Sequence, residues 1–151
     1  MQTLKIEIPK GYEVESFDQN TGEIKFRETP KDITERIKSF DDVLGYHGLK
    51  KEEFEEELEY MSTDEVAYRK VKLIAEALNE GWQPDWTNSS EYKYFPWFKM
   101  GGSSGSGFAY NGYDDWNSGS DCGSRLCFKS SKLARYAGKQ FTDIYKDFLT
   151  S

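Results

Sequence analysis

Asp114, Asp115 and Asp121 carry the carboxylate oxygens that hard cations favour. The twelve-residue calcium loop with its closing Glu is absent, so adjacent acids in a polar stretch read as turn residues and no metal ligand is assigned. His47 is the only histidine, and Cys122 and Cys127 are the only cysteines. Zinc sites want several His or Cys ligands, and hydrolase triads want a histidine between a nucleophile and an orienting acid. Neither set stands out here. A carboxylate pair can run acid–base chemistry. With 27 acids in 151 residues, no pair distinguishes itself. No catalytic residue and no cofactor is therefore assigned, and an enzyme working through carboxylates stays as a third alternative.

The run from Gly101 to Gly107, Gly-Gly-Ser-Ser-Gly-Ser-Gly, has the composition of a phosphate-binding loop. Such a loop needs a helix N-terminus and a Lys-Ser/Thr pair directly after the glycines. Phe108-Ala109-Tyr110 follows instead, so the run is expected to be a flexible hairpin connection.

What remains is contact chemistry. Nine aromatic rings fall within the 25 residues from Tyr92 to Trp116, interleaved with Gly, Ser, Asn and Asp. Flat rings stack and short polar groups hydrogen-bond, which is the chemistry of a recognition surface. The competing reading is core, because a thin sheet-on-helix interface also needs large rings. Tyr110, Tyr113 and Trp116 are read as loop residues, polar-flanked and exposed. Trp97, Tyr110, Tyr113, Asp115 and Trp116 are the expected contact residues, with Trp82 and Trp86 as walls. Arg125 is assigned to an anionic ligand group or to loop carboxylates, with a salt bridge at a strand edge as the plainer reading.

These residues need positioning elements. Leu4, Ile6 and Ile8 alternate with polar residues as in a half-buried strand. Tyr12, Val14 and Phe17 suggest a second strand, and Glu23–Arg27 its return after the Asp18–Gly22 turn. Pro30 opens a helical region in which Ile33 and Ile37 share a face. Ser39 caps the next helix, with Asp42 at the third position completing a capping box. Phe54 and Leu58 mark a third helix from Glu52 to Tyr60. Thr63 caps a long fourth one ending at Gly81, striped by Val66, Val71, Ile74, Ala75 and Leu78. Strands are predicted at Tyr92–Phe98, Gly107–Asn111 and Gly123–Lys129. Ser130 or Ser131 caps one last helix with Leu133, Ala137, Phe141, Ile144 and Phe148 on one face. Gly138 within it suggests close packing against the sheet.

The expected fold is α+β: a small antiparallel sheet packed against several helices, with an N-terminal β-hairpin unit. It is read as a single domain over 1–151. Residues 1–28 form the β unit, 31–81 the acidic helical region, and 92–151 the aromatic, glycine-rich strands and last helix. Mean hydropathy is −0.82 and no apolar run reaches the roughly 20 residues of a membrane span. The alternating N-terminus lacks the pattern of a signal peptide, so a cytoplasmic setting is expected, and the Asn88-Ser89-Ser90 sequon is discounted. Residues 1–80 hold 20 acids and 12 bases, and residues 81–151 hold 7 and 8, which together make the net charge of −7. The acidic half argues against direct nucleic-acid binding.

Four stretches, LKIEIPKGYEVESF, KLIAEALNEGWQPDW, KYFPWF and GSRLCFKSSKLARYAGKQF, resemble an uncharacterised family of small acidic proteins of gut Bacteroidetes and their phages and prophages. The resemblance spans nearly the whole chain. It implies a bacterial or phage cytoplasmic setting and assigns no activity or site residue. The Gly-Ser-Arg-Leu-Cys-Phe segment also resembles the closing strand of C-type-lectin-like domains, which end shortly after it, whereas this chain continues.

The leading expectation is a non-catalytic binding protein contacting a protein or carbohydrate ligand through residues 92–121, with no cofactor and no membrane. The alternative is a phage- or mobile-element-encoded acidic inhibitor that occupies the basic groove of a nucleic-acid-handling enzyme.

Overall fold

The computed structural model describes residues 5–29, 32–101 and 107–151, and the chain is α+β. Strands β1 (Tyr12–Phe17) and β2 (Ile24–Glu28) form one antiparallel pair, and β3 (Lys93–Lys99) and β4 (Ala109–Trp116) a second. Between them run α1 (Ile33–Arg36), α2 (Phe40–Tyr46), α3 (Lys51–Leu58) and α4 (Thr63–Asn79). After β4 come α5 (Ser131–Gln140) and α6 (Thr142–Thr150).

The N-terminal hairpin is amphipathic. Val14 faces Phe26 and Phe17 faces Ile24, while Glu13 opposes Arg27 and pairs with it at 2.6 Å. A strict two-residue period would send Phe17 to the other face from Val14. Glu15 is an extra, bulged residue, and it returns Phe17 to the apolar row. Among the described residues no helix covers that row: Phe17 is 57% exposed, and Tyr12 and Val14 are also exposed. The strand expected around Ile6 and Ile8 is absent from its described part, residues 5–9, which pairs with no strand. Leu4 and Pro30 lie outside the described residues.

Helix ends follow the short polar residues. The Asp42 amide donates to the Ser39 hydroxyl at 3.2 Å, and the Ser39 amide donates to the Asp42 carboxylate at 2.8 Å, a reciprocal cap. The fourth helix is capped by Ser62, not Thr63: the Ser62 amide donates to the Glu65 carboxylate at 2.8 Å.

The core centres on α4, α5 and α6 with the inner face of β3–β4. Val71, Ile74 and Leu78 of α4 meet Ala134, Ala137, Phe98 and Phe128 there. Leu44, Phe54 and Leu58 form a satellite cluster under α2 and α3. Gly138 sits where α5 crosses the sheet, and a Cβ on it would lie 2.6 Å from the Tyr110 ring and 2.8 Å from Pro96. The predicted single last helix is two. At Phe141 the backbone leaves helical geometry (φ −117°, ψ 30°), and the Thr142 hydroxyl donates back to the Gly138 carbonyl at 2.7 Å. Phe141 and Tyr145, four residues apart, both enter the core as α6 packs along α4.

The predicted strand at Gly123–Lys129 is also corrected. That segment turns at Ser124–Leu126 and makes one bridge, Phe128 with Tyr94. Two backbone groups flanking that bridge are satisfied by a side chain. Asn79 donates to the Cys127 carbonyl at 2.9 Å and accepts from the Lys129 amide at 3.0 Å, standing in for a neighbouring strand. The likeness to a lectin-type closing strand loses its strand here.

Candidate functional site

β3 pairs with β4 on one edge only. On the other edge Tyr94 exchanges both backbone hydrogen bonds with Phe128, at 2.9 and 2.7 Å, so its amide and carbonyl point away from β4. Pro96, two residues on, shares that orientation and has no amide to offer. A proline is tolerated only at such an edge, and it blunts strand addition there.

Beside this edge lies an apolar groove of about 380 Å³. Phe95, Trp97, Phe98 and Met100 form the sheet wall, and Tyr145, Phe148 and Leu149 of α6 form the opposite one. Val71 of α4 contributes from the core, while Asp121, Cys122 and Leu126 close an end. Trp97 is 49% exposed and Met100 53%, so the mouth is ringed by accessible apolar groups. Large exposed apolar side chains gathered round a concavity mark contact surfaces more often than isolated ones do.

The floor holds an unsatisfied polar group. The Tyr145 ring lies tilted against Phe98 with centroids 5.0 Å apart, and its hydroxyl is buried with no hydrogen-bond partner among the described residues. Burial, and to a smaller degree the neighbouring Cys122, keep that phenol protonated. The Cys122 thiol is itself pushed up by burial, partly offset by the Ser120 hydroxyl at 3.5 Å. Burial and then Cys122 push Cys127 up to about 12. Both thiols are thus held in the weakly nucleophilic neutral form. Among the described residues, no three His, Cys, Asp or Glu side chains are grouped to hold a metal ion.

The sequence-selected residues separate into distinct places. Trp97 lies on the groove. Trp116 shares its sheet face, because Phe95 lies between the two rings, stacked on Trp116 at 5.9 Å and 6.3 Å from Trp97. Tyr110, Tyr113, Asp115 and Trp116 are strand residues of β4, not loop residues. Tyr110 and Tyr113 are half-buried on the core side, where α5 lays Lys139 over the first ring at 5.6 Å and Arg135 over the second at 4.7 Å. They are scaffold for the sheet, and the expectation that they are freely exposed is corrected. Asp115 is half-buried opposite Tyr94. Trp82 and Arg125 meet in a separate small cleft at the end of α4. The Gly102–Ser106 part of the glycine-serine run lies outside the described residues.

Trp86 belongs to a clamp. The Lys93 side chain is fully buried, and its ammonium donates to the carbonyls of Glu91 at 2.7 Å and Asn117 at 2.9 Å, and also to that of Asp85. The Trp86 ring lies 5.2 Å from that ammonium and donates its indole N–H to Ser124 at 2.7 Å. Sequence reading missed Lys93, as it missed Met100, Tyr145, Phe148 and Leu149. The signal for the last three was the apolar periodicity of the final helix, which was spent on the core.

No family model matches this chain, and no curated protein or solved structure is significantly similar to it, so the site rests on its own geometry.

Proposed function

We propose that this is a non-catalytic binding protein whose contact surface is the groove beside β3 and its aromatic rim. The observation that carries this reading is the ring of exposed Trp97, Met100 and Leu149 around an apolar concavity. The lining offers few hydrogen-bonding groups, and Tyr110 and Tyr113 are committed to α5, which favours a protein partner over a carbohydrate. The neutral, half-buried and buried thiols fit a binding role better than nucleophilic catalysis.

A second reading has its own support. Glu52, Glu55, Glu56 and Glu59 are exposed along and just beyond α3 and have no ion-pair partner among the described residues. That acidic surface suits an inhibitor seated in a basic groove. Affinity capture from the producing cell, read by mass spectrometry, separates the two. Under the first reading Trp97→Ala loses the captured partner at any salt concentration, while Tyr60→Ala, altering a ring 92% exposed elsewhere, keeps it. If Trp97→Ala captures the same partner undiminished and only charge reversal on α3 releases it, with binding fading as salt rises, the groove reading is wrong.

A further inference from the structure

We propose that the groove beside β3 receives the apolar side chains of a short peptide segment of a partner protein, flanked by lysine or arginine. This rests on the groove being the contact surface and says what fills it. Four features of the site select that occupant.

Its volume of about 380 Å³ is that of roughly a dozen waters, room for large side chains. Trp97, Met100 and Leu149 stand partly in solvent around the mouth, and an occupant lying wholly inside would leave them there. A peptide continuing past the groove covers them.

The Tyr145 hydroxyl is enclosed at the floor without a partner. A buried polar group left unpaired is costly, and a peptide brings a carbonyl beside every side chain it inserts. The hydroxyl is closed to water, so it donates to such a carbonyl once an inserted side chain has displaced the groups that cover it.

Among the described residues Asp121 is the one charged side chain on the groove, and it makes no ion pair there. In a chain of net charge −7 it selects for a basic flank and against an acidic one.

Pro96 sets the mode of entry. Along that edge Tyr94 is taken by Phe128 and Pro96 has no amide, so a segment cannot add as a fully bonded third strand to the β3–β4 pair, and side chains carry the recognition.

The test uses the full chain and capped eight-residue peptides with a central Leu-Phe pair flanked by Lys, Gln or Glu. Affinity is read by fluorescence anisotropy and by displacement of the neutral apolar dye Nile red. The Lys-flanked peptide is expected to bind about fivefold more tightly than the Glu-flanked one, and Asp121→Asn to level the series. Tyr145→Phe is expected to raise the melting temperature, since it deletes an unpaired buried hydroxyl, and yet to weaken peptide binding. A purely structural role for the hydroxyl would not split those two readouts. If Nile red binds but no peptide displaces it, or all three displace it equally, the groove is a contact site for another occupant and the peptide proposal is overturned. Concentration-dependent self-association blocked by Nile red assigns the groove to a second copy and overturns it likewise. If Nile red does not bind, or binds unchanged to Trp97→Ala, the groove reading itself fails, and the proposal with it.

Discussion

Asn79 is a single amide doing the work of a strand edge. Its two hydrogen bonds hold Cys127 and Lys129 against the end of α4, and its side chain is buried. Asn79→Ala strands one carbonyl and one amide together. It is expected to lower stability by about 2–3 kcal/mol in urea unfolding, more than an exposed Asn88→Ala. The residue also explains why Gly123–Lys129 reads as a strand from sequence: Leu126, Cys127 and Phe128 are apolar and buried or half-buried, but the backbone finds its partners in a side chain, in its own turn and in one bridge. Nothing in local periodicity distinguishes those two ways of satisfying the same groups.

At the scale of elements, Gly138 sets two effects against each other. Alanine is the better helix former by about 1 kcal/mol. Its methyl would lie inside contact distance of Tyr110 and Pro96, which are held by the sheet. Overpacking of this kind costs about 1–3 kcal/mol, so Gly138→Ala is expected to be net destabilising, by roughly 1 kcal/mol, in thermal or chemical unfolding. The position of this glycine on α5 was legible, as were the Ser39 cap and the apolar stripe of α4. The extent of β4 was not. Tyr110 and Tyr113 are three apart, a spacing that contradicts a strand unless one residue is bulged. Asn111 is that residue, and Gly112 at φ +144° accommodates it. The same device returns Phe17 to the row of Val14 in the first hairpin, where the turn signals on either side made the strands recognisable anyway. A bulge is invisible to a two-residue period, so the candidate contact surface was misjudged where it depended on one. Trp97 was found because its strand is regular up to that point. Tyr145 shares the face of Phe141, four residues earlier, and was missed because the same apolar periodicity describes a core residue and a groove wall.

For the whole molecule, several carboxylates are held charged by local donors, and acid should find them together. The Asp32 carboxyl, which caps α1, is lowered from 3.8 to about 2, first by the Lys132 ammonium and then by the Thr34 amide. The Lys38 amide lowers Asp42, and the Ser62 amide lowers Glu65. In each case the folded value lies below the unfolded one, so the stabilisation is complete above the ordinary carboxylate range and drains away as pH falls towards the folded values. These groups are therefore expected to leave the urea midpoint unchanged between pH 7 and 5 and to lower it steadily from about pH 4 to 2. Asp32→Asn should start lower at pH 7 and lose less over the acid interval. A mutant curve parallel to that of the parent would show that Asp32 contributes nothing to the slope.

The burial of Lys93 has a consequence for variation. Apart from the Glu91 carboxylate at 3.3 Å, its ammonium grips the segment between Trp82 and Tyr92 through main-chain oxygens, which every amino acid supplies alike. The tips at Ser89 and Ser90 can therefore be rewritten with little effect on the path of the chain, so long as the lysine beneath them stays and the Asn88 side chain keeps accepting from the amide at position 90. Evolution, or a protein engineer, inherits a display loop whose shape is remembered by a residue outside it.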